Sequence, residues 1–215
     1  MTKRGTKDKS ILIVGVILVF FATSVWAAYN MVMDHRVYQY SGHKAKKQYP
    51  VTLQIKVVKD NRPENEKVQK GDEHPYTFDA LWPELADEML AKVLEREFSQ
   101  SGLATAVDLK NEQAEYVLVI ELNSFHGRWV SVPQSFKPVY DIYGNTEFSA
   151  RLVSRKADRT LFKKSYTGRS KTQASQFRNK YGFCAIEAGK AFKEAAVKLM
   201  TDVEIALSGG KVSEY

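Results

Sequence analysis

The chain has 215 residues, of which 44% are hydrophobic and 12% aromatic, which is enough apolar surface to bury the core of one domain. With 27% charged residues, six Pro and twelve Gly, the composition excludes a disordered, collagen-like or low-complexity chain, and the single cysteine excludes an intramolecular disulfide. The formal net charge is +7, so its distribution along the chain bears on function.

The N-terminus has the organisation of an export signal. Residues 1–10 carry a net charge of +3, and residues 11–28 are uncharged and pass from large apolar to small side chains. This order is typical of a secretory signal, with cleavage after Ala27. The alternative is an uncleaved membrane anchor, because residues 11–28 are near the minimum length that spans a bilayer. Both alternatives place the rest of the chain outside the cytoplasm. We expect a periplasmic protein, soluble or anchored to the inner membrane.

The first elements after the signal follow from hydrophobic periodicity. Residues 28–50 have no sustained period and are predicted to be a tether. Residues 51–57 alternate apolar and polar residues, which predicts a strand, and the polar residues 59–77 are predicted to be a long loop. Apolar residues, Leu85 among them, then recur at helical spacing over residues 78–101. Gly102 is placed to end this helix.

Four strands and a long helix complete the predicted domain. The patterns predict strands at residues 105–109, 115–125, 145–155 and 161–168, the last two as a hairpin, and a helix at residues 182–207. Residues 126–142 fit either a strand extension or an exposed loop. This order favours an α+β fold, with one mostly antiparallel sheet and two helices packed on one face. The predicted domain spans residues 51–210, followed by a tail at residues 211–215.

Charge is concentrated in two opposite segments. Residues 59–100 carry a net charge of −5, and residues 151–180 carry +9. We interpret the basic segment as a candidate site for a protein partner or for anionic lipid, formed by Arg151, Arg155, Lys156, Arg159, Lys163, Lys164, Arg169, Lys171, Arg178 and Lys180. The alternative is that these cations keep an exposed sheet edge soluble. Nucleic acid is not expected as a partner, because the chain has an export signal and no nucleic-acid motif.

The sequence offers no catalytic arrangement. Its four histidines show no spacing for pairing or metal binding, and no nucleophile or phosphate-loop motif is present. Cys184 lies in an apolar helical stretch and is interpreted as a core residue. We therefore expect a protein without enzymatic activity, metal or cofactor. Two alternatives remain: an exported hydrolase whose acids the sequence does not pair, and a structural subunit of a surface appendage.

The order of features resembles a group of small bacterial envelope proteins: the auxiliary component of lipid-transporting ABC systems and the related YajG-type lipoproteins. The resemblance spans about residues 51–207 and is carried by the helix that ends at Gly102, the strand AEYVL at residues 114–118, the FHG sequence at residues 125–127, the hairpin at residues 148–166 and the Ala-rich helix at residues 185–199. It implies an exported, noncatalytic α+β domain that helps to assemble an envelope complex or to pass lipid. Members carry a lipid-modified cysteine at the mature N-terminus, and this chain has none there.

These observations lead to one hypothesis. The protein is predicted to be a noncatalytic accessory protein of a bacterial envelope complex that binds a protein partner or anionic lipid through its basic hairpin region. Neither the identity of that partner nor the oligomeric state follows from the sequence.

Overall fold

A computed structural model describes residues 38–67, 85–132, 139–174 and 180–213. The strands are β1 (Tyr49–Asp60), β2 (Ala104–Asp108), β3 (Tyr116–Val132), β4 (Val139–Ser154) and β5 (Arg159–Ala174). The helices are α1 (Glu64–Lys67), α2 (Ala86–Ser101) and α3 (Lys180–Leu207). The predicted signal or anchor lies outside the described residues, as do most of the loop at residues 59–77 and the first residues of the predicted helix at 78–101.

The five strands form one sheet in the order β2-β1-β3-β4-β5. β1 runs parallel to both β2 and β3, whereas β3, β4 and β5 form a long antiparallel meander. β1 pairs with β3 only as far as Leu122, and beyond that point the meander continues without β1. The sheet is therefore mixed, with most of its paired residues in the antiparallel part.

The two long helices, α2 and α3, cover the same face of the sheet. α2 packs on β1 and β2, and α3 packs across β3, β4 and β5. Alternate strand residues such as Leu118, Phe148 and Phe162 point into a single core together with Phe98 of α2 and Phe192 of α3. This arrangement confirms the predicted α+β class with two helices on one face of the sheet.

α3 lies unusually close to the meander because three glycines leave room for its backbone. Gly127, Gly144 and Gly168 lie on β3, β4 and β5, and a β-carbon on any of them would overlap a backbone carbonyl of α3. The carbonyls belong to Cys184, Glu187 and Ala191. The small side chains of α3 and these glycines therefore set the distance between helix and sheet.

The segment before β1 packs against α2 and α3. Tyr38 is 4% exposed, and its ring meets that of Phe192 edge-on at 6.3 Å. The backbone N–H and the hydroxyl of Ser41 donate to the two carboxylate oxygens of Glu97 at 2.8 and 2.7 Å. The Ala45 N–H donates to the Ser101 carbonyl. From Tyr38 onward, the segment expected to be a tether is part of the packed domain.

One local prediction differs from the structure, and one open alternative is decided for the described residues. Leu85 was placed on the apolar stripe of the first helix, but it lies just before α2 with an extended backbone and is 57% exposed. In the region left open, residues 126–132 extend β3 and residues 139–142 begin β4. Gly102 ends α2 with φ of 72°, as predicted. In the four described ranges, no helix has the length and apolarity needed to cross a bilayer.

Candidate functional site: the outer face of the sheet

The sheet face opposite α2 and α3 is here called the outer face. It is covered at β1 and the start of β3, where Gln54 and Val117 are buried and Gln54 donates to the Leu109 carbonyl, but no described element covers it over β4 and β5. Strand residues that alternate with the core positions point to it, so it carries the polar half of each strand pattern. Arg151 lies opposite Lys163, Asn145 opposite Arg169, and Tyr143 opposite Lys171 along the β4–β5 pairing. This register places four of the ten predicted cations on one surface.

The other predicted cations lie elsewhere. Lys156 and Arg159 are exposed at the turn between β4 and β5. Arg155, at the same turn, donates from Nη2 to Oε1 of Gln54 at 2.7 Å, which ties the end of the hairpin to β1. Arg178 lies outside the described residues, and Lys180 is the first residue of α3.

Lys164 does not share a surface with the outer cations. It alternates with Lys163 and therefore points to the helix side, where its Nζ lies 2.9 Å from Oδ2 of Asp202 in α3. The same carboxylate oxygen accepts a hydrogen bond from the Tyr166 hydroxyl at 2.8 Å. Lys164 thus links β5 to α3. The cations of residues 151–180 therefore do not form a single surface patch.

Arg151 and Lys163 stand out among the outer-face cations. They are exposed, directly opposite each other, and neither makes an ion pair with a described residue. The next pair on the same face is Ser149 and Ser165, whose hydroxyl oxygens are 3.1 Å apart. The side-chain amide of Asn123 donates to the Ser149 hydroxyl at 3.1 Å. Two cations and two hydroxyls therefore occupy the corners of one exposed rectangle.

Lys171 differs because an acid neutralises it. Its Nζ lies 2.8 Å from Oδ2 of Asp141 and 5.1 Å from the centre of the Tyr143 ring, and Arg128 of β3 lies 5.3 Å from the same ring on the other side. The hydrogen bond that Lys171 donates to Asp141 lowers the pKa of Asp141 and raises the pKa of Lys171. Because Lys171 already pairs with Asp141, it is a weaker candidate for binding an anion than Arg151 or Lys163.

A second polar cluster lies at the edge of β3, just beyond the point where its pairing with β1 ends. Oε2 of Glu66 in α1 accepts the Phe125 N–H at 3.1 Å, and Oε1 lies 3.1 Å from both the Ser124 hydroxyl and Nδ1 of His126. Burial raises the pKa of Glu66, but the hydrogen bonds from His126, Phe125 and Ser124 outweigh it and leave the pKa below its ordinary value. No periodic pattern in the sequence signals this contact.

The Glu66 cluster is not arranged as a nucleophile–base–acid triad. The Ser124 hydroxyl lies 3.2 Å from Nδ1 of His126, the same nitrogen that faces Glu66. A triad needs its serine and its acid at opposite ring nitrogens. The cluster therefore has a structural role: it holds α1 against β3.

The remaining candidates for chemistry lie on the helix side. The Cys184 side chain is fully buried, and burial raises the pKa of its thiol to about 12. A shallow depression of about 460 Å³ between α2 and β2 is lined by two acids and three cations, Glu95, Asp108, Lys92, Arg96 and Lys110, among others. Among the residues that the structure describes, no group of three potential metal ligands comes together.

Together these features define a two-layer α+β domain with one sheet face covered by helices and the other open. Its fold is similar to that of protein XCC0632 from Xanthomonas campestris, described under the family heading DUF330: the TM-score is 0.51 at 17% identity, over 80% of this chain and 95% of that chain. The hypothetical protein CT253 from Chlamydia trachomatis gives 0.45 at 11% identity, over 75% and 100%. Lipoprotein GNA1162 from Neisseria meningitidis gives 0.33 at 14% identity, over 57% and 85%.

The structural neighbours of this chain thus include a DUF330 protein and a bacterial lipoprotein. The similarity to the Xanthomonas protein is one of fold. No protein-family model matches the sequence, and a comparison with curated proteins finds no relative. The expected association with lipid-transporting ABC systems stays a prediction.

Proposed function

We propose that the protein is a noncatalytic accessory protein of the bacterial cell envelope that binds an anionic partner, a protein surface or a lipid, through the outer face of β4 and β5. The observation that carries the proposal is the exposure of Arg151, Lys163 and Arg169 on β4 and β5, over which no described element covers the outer face. Cations that only keep a surface soluble are usually paired with neighbouring acids. Asp141 pairs with Lys171, whereas Glu121 and Glu147 of the same face form no ion pair with Arg151 or Lys163.

Export supports the envelope assignment. The basic head and the uncharged residues 11–28 have the order of a secretory signal or anchor. The absence of a cysteine after that segment argues against attachment by a lipid-modified N-terminus. These features support a periplasmic location, free or held at the inner membrane.

The noncatalytic role is supported by the environment of the most reactive groups. The Cys184 thiol is buried with a raised pKa, so the nucleophilic thiolate does not form near neutral pH. His126 presents one nitrogen to both Glu66 and Ser124. Neither group is arranged for nucleophilic or general-base catalysis.

A photo-crosslinking residue in place of Thr167 or Thr201 tests the proposal in the cells that make the protein. Thr167 lies on the outer face of β5, whereas Thr201 is an exposed residue of α3. We expect an adduct of defined mass, with protein or with lipid, from position 167 and not from position 201. Adducts from position 201 alone, or from neither position, would contradict the proposal.

A further inference from the structure

We propose that Arg151, Lys163 and Ser165 bind the phosphate monoester of a membrane lipid head group. The inference rests on the proposed function, because it names the anionic partner of the outer face. It begins from the rectangle formed by Arg151, Lys163, Ser149 and Ser165. Opposite residues of an antiparallel pair are about 5 Å apart, and alternate residues of a strand are about 7 Å apart. One tetrahedral anion can therefore reach several corners at once.

The hydrogen bonds around Ser149 make the site a donor site. Ser149 accepts from the amide of Asn123, and either hydroxyl of the Ser149–Ser165 pair can donate to the other. When Ser149 donates, the Ser165 hydroxyl keeps its hydrogen for a bound anion. The ammonium group of Lys163 and the guanidinium group of Arg151 carry only donors. Arg151, Lys163 and Ser165 are therefore neighbours that can all donate to one anion.

The charges favour a phosphate monoester over a carboxylate. Like charges directly opposite each other on neighbouring strands are destabilising, so Arg151 and Lys163 gain from a shared anion. Glu121 lies opposite Ser149 on β3 but forms no ion pair with either cation. A phosphate monoester carries nearly two negative charges near neutral pH and three terminal oxygens, which match two cations and a hydroxyl. A single carboxylate offers one charge and two oxygens and therefore matches this set of donors less well.

The shape of the site favours a phosphate presented by a membrane. The rectangle lies on an open sheet face, so it contacts the phosphate and encloses nothing else of the molecule. A single exposed contact of this kind is weak, but a second attachment to the same membrane, such as the predicted anchor at residues 11–28, makes it an intramolecular contact with a high effective concentration. Exposed cations at the adjacent turn, Lys156 and Arg159, add attraction to an anionic bilayer.

Flotation of the full chain with vesicles tests the site. The vesicles contain phosphatidylcholine alone, phosphatidylcholine with phosphatidic acid, or phosphatidylcholine with phosphatidylglycerol adjusted to the same surface potential. Binding to phosphatidylcholine alone measures the contribution of residues 11–28, which every variant retains. We compare Arg151→Gln/Lys163→Gln with the matched control Lys156→Gln/Arg159→Gln, which removes the same charge from the adjacent turn. Urea unfolding confirms that each variant is folded.

The site predicts about tenfold tighter binding to phosphatidic acid than to phosphatidylglycerol. Arg151→Gln/Lys163→Gln should abolish this preference, Ser165→Ala should reduce it about threefold, and the control should keep it. Equal binding to both lipids at equal surface potential would overturn the site, yet leave the proposed function standing if Thr167 still forms its adduct. An equal loss in the control pair would also overturn the site. Binding to neither lipid, with a protein adduct at Thr167, would replace the lipid with an acidic protein.

Discussion

Gly144 of β4 lies against the backbone of Glu187 in α3, with no room between them for a β-carbon. The same is true of Gly127 against Cys184 and of Gly168 against Ala191. One glycine on each of β3, β4 and β5 therefore allows the backbone of α3 to pack directly against all three strands. The helix in turn buries one sheet face and leaves the opposite face open.

Gly144→Ala is expected to destabilise the fold by about 2 kcal/mol, because the added methyl group must push α3 away from β4. The free energy of unfolding in urea measures this effect. Ser165→Ala, a substitution of similar size on the outer face, should change it by less than about 0.5 kcal/mol. Equal effects of the two substitutions would show that α3 is not seated on Gly144.

Much of this architecture follows from alternation in the sequence. Phe148, Ala150 and Leu152 mark one face of β4, and the helical spacing around Phe192 marks the buried face of α3. The end of β3 was harder to predict, because an irregularity between Leu122 and Ser124 moves the core positions from even to odd residues, and Gly127 then interrupts the apolar pattern. A glycine in a strand signals close backbone approach, but the sequence does not say which element approaches.

Tyr38→Ala is expected to destabilise the domain by about 3 kcal/mol, since it removes a buried aromatic ring that packs on Phe192. Urea unfolding of the full chain measures the loss. An unchanged midpoint would mean that the segment before β1 is a free tether, as its lack of hydrophobic period indicated.

Glu66→Gln is expected to reduce the loss of stability in acid. The pKa of Glu66 in the folded protein lies below its ordinary value of 4.5, so its contribution is complete above about pH 4.5 and disappears as the pH falls through the folded pKa. The stability of the wild type should therefore fall more steeply below pH 4.5 than that of the variant. Thermal unfolding midpoints across this range make the comparison, and parallel curves would show that Glu66 does not bind β3 as a carboxylate.

Lys171→Gln is expected to raise the pKa of Asp141 toward its ordinary value of 3.8, because Lys171 is the main cause of the lowered pKa. Titration of the carboxyl carbon of Asp141 by NMR measures the change. Gln173→Ala, which removes a weaker hydrogen bond to the same carboxylate, should shift the pKa less. A larger shift from Gln173→Ala would contradict the assignment of Lys171 as the principal partner.

The candidate site could be located in part from the sequence. The charge of residues 151–180 directed attention to β4 and β5, and alternation about Phe162 and Tyr166 already separates Lys163 from Lys164. The sequence could not pair Lys163 with Arg151, because that register depends on an irregularity between Leu152 and Val153. Nor could it identify Asp141 as the partner of Lys171, since the two residues are far apart along the chain.

The most direct test of the proposed function is the yield of the Thr167 adduct in two charge-reversal variants. Lys163→Glu/Arg169→Glu changes the outer face, and Lys110→Glu/Lys211→Glu makes the same change in net charge at exposed lysines elsewhere. An anionic partner on the outer face predicts about a tenfold lower yield in the first variant and an unchanged yield in the second. A yield that is equal in both variants would contradict the proposal that this face binds an anionic partner.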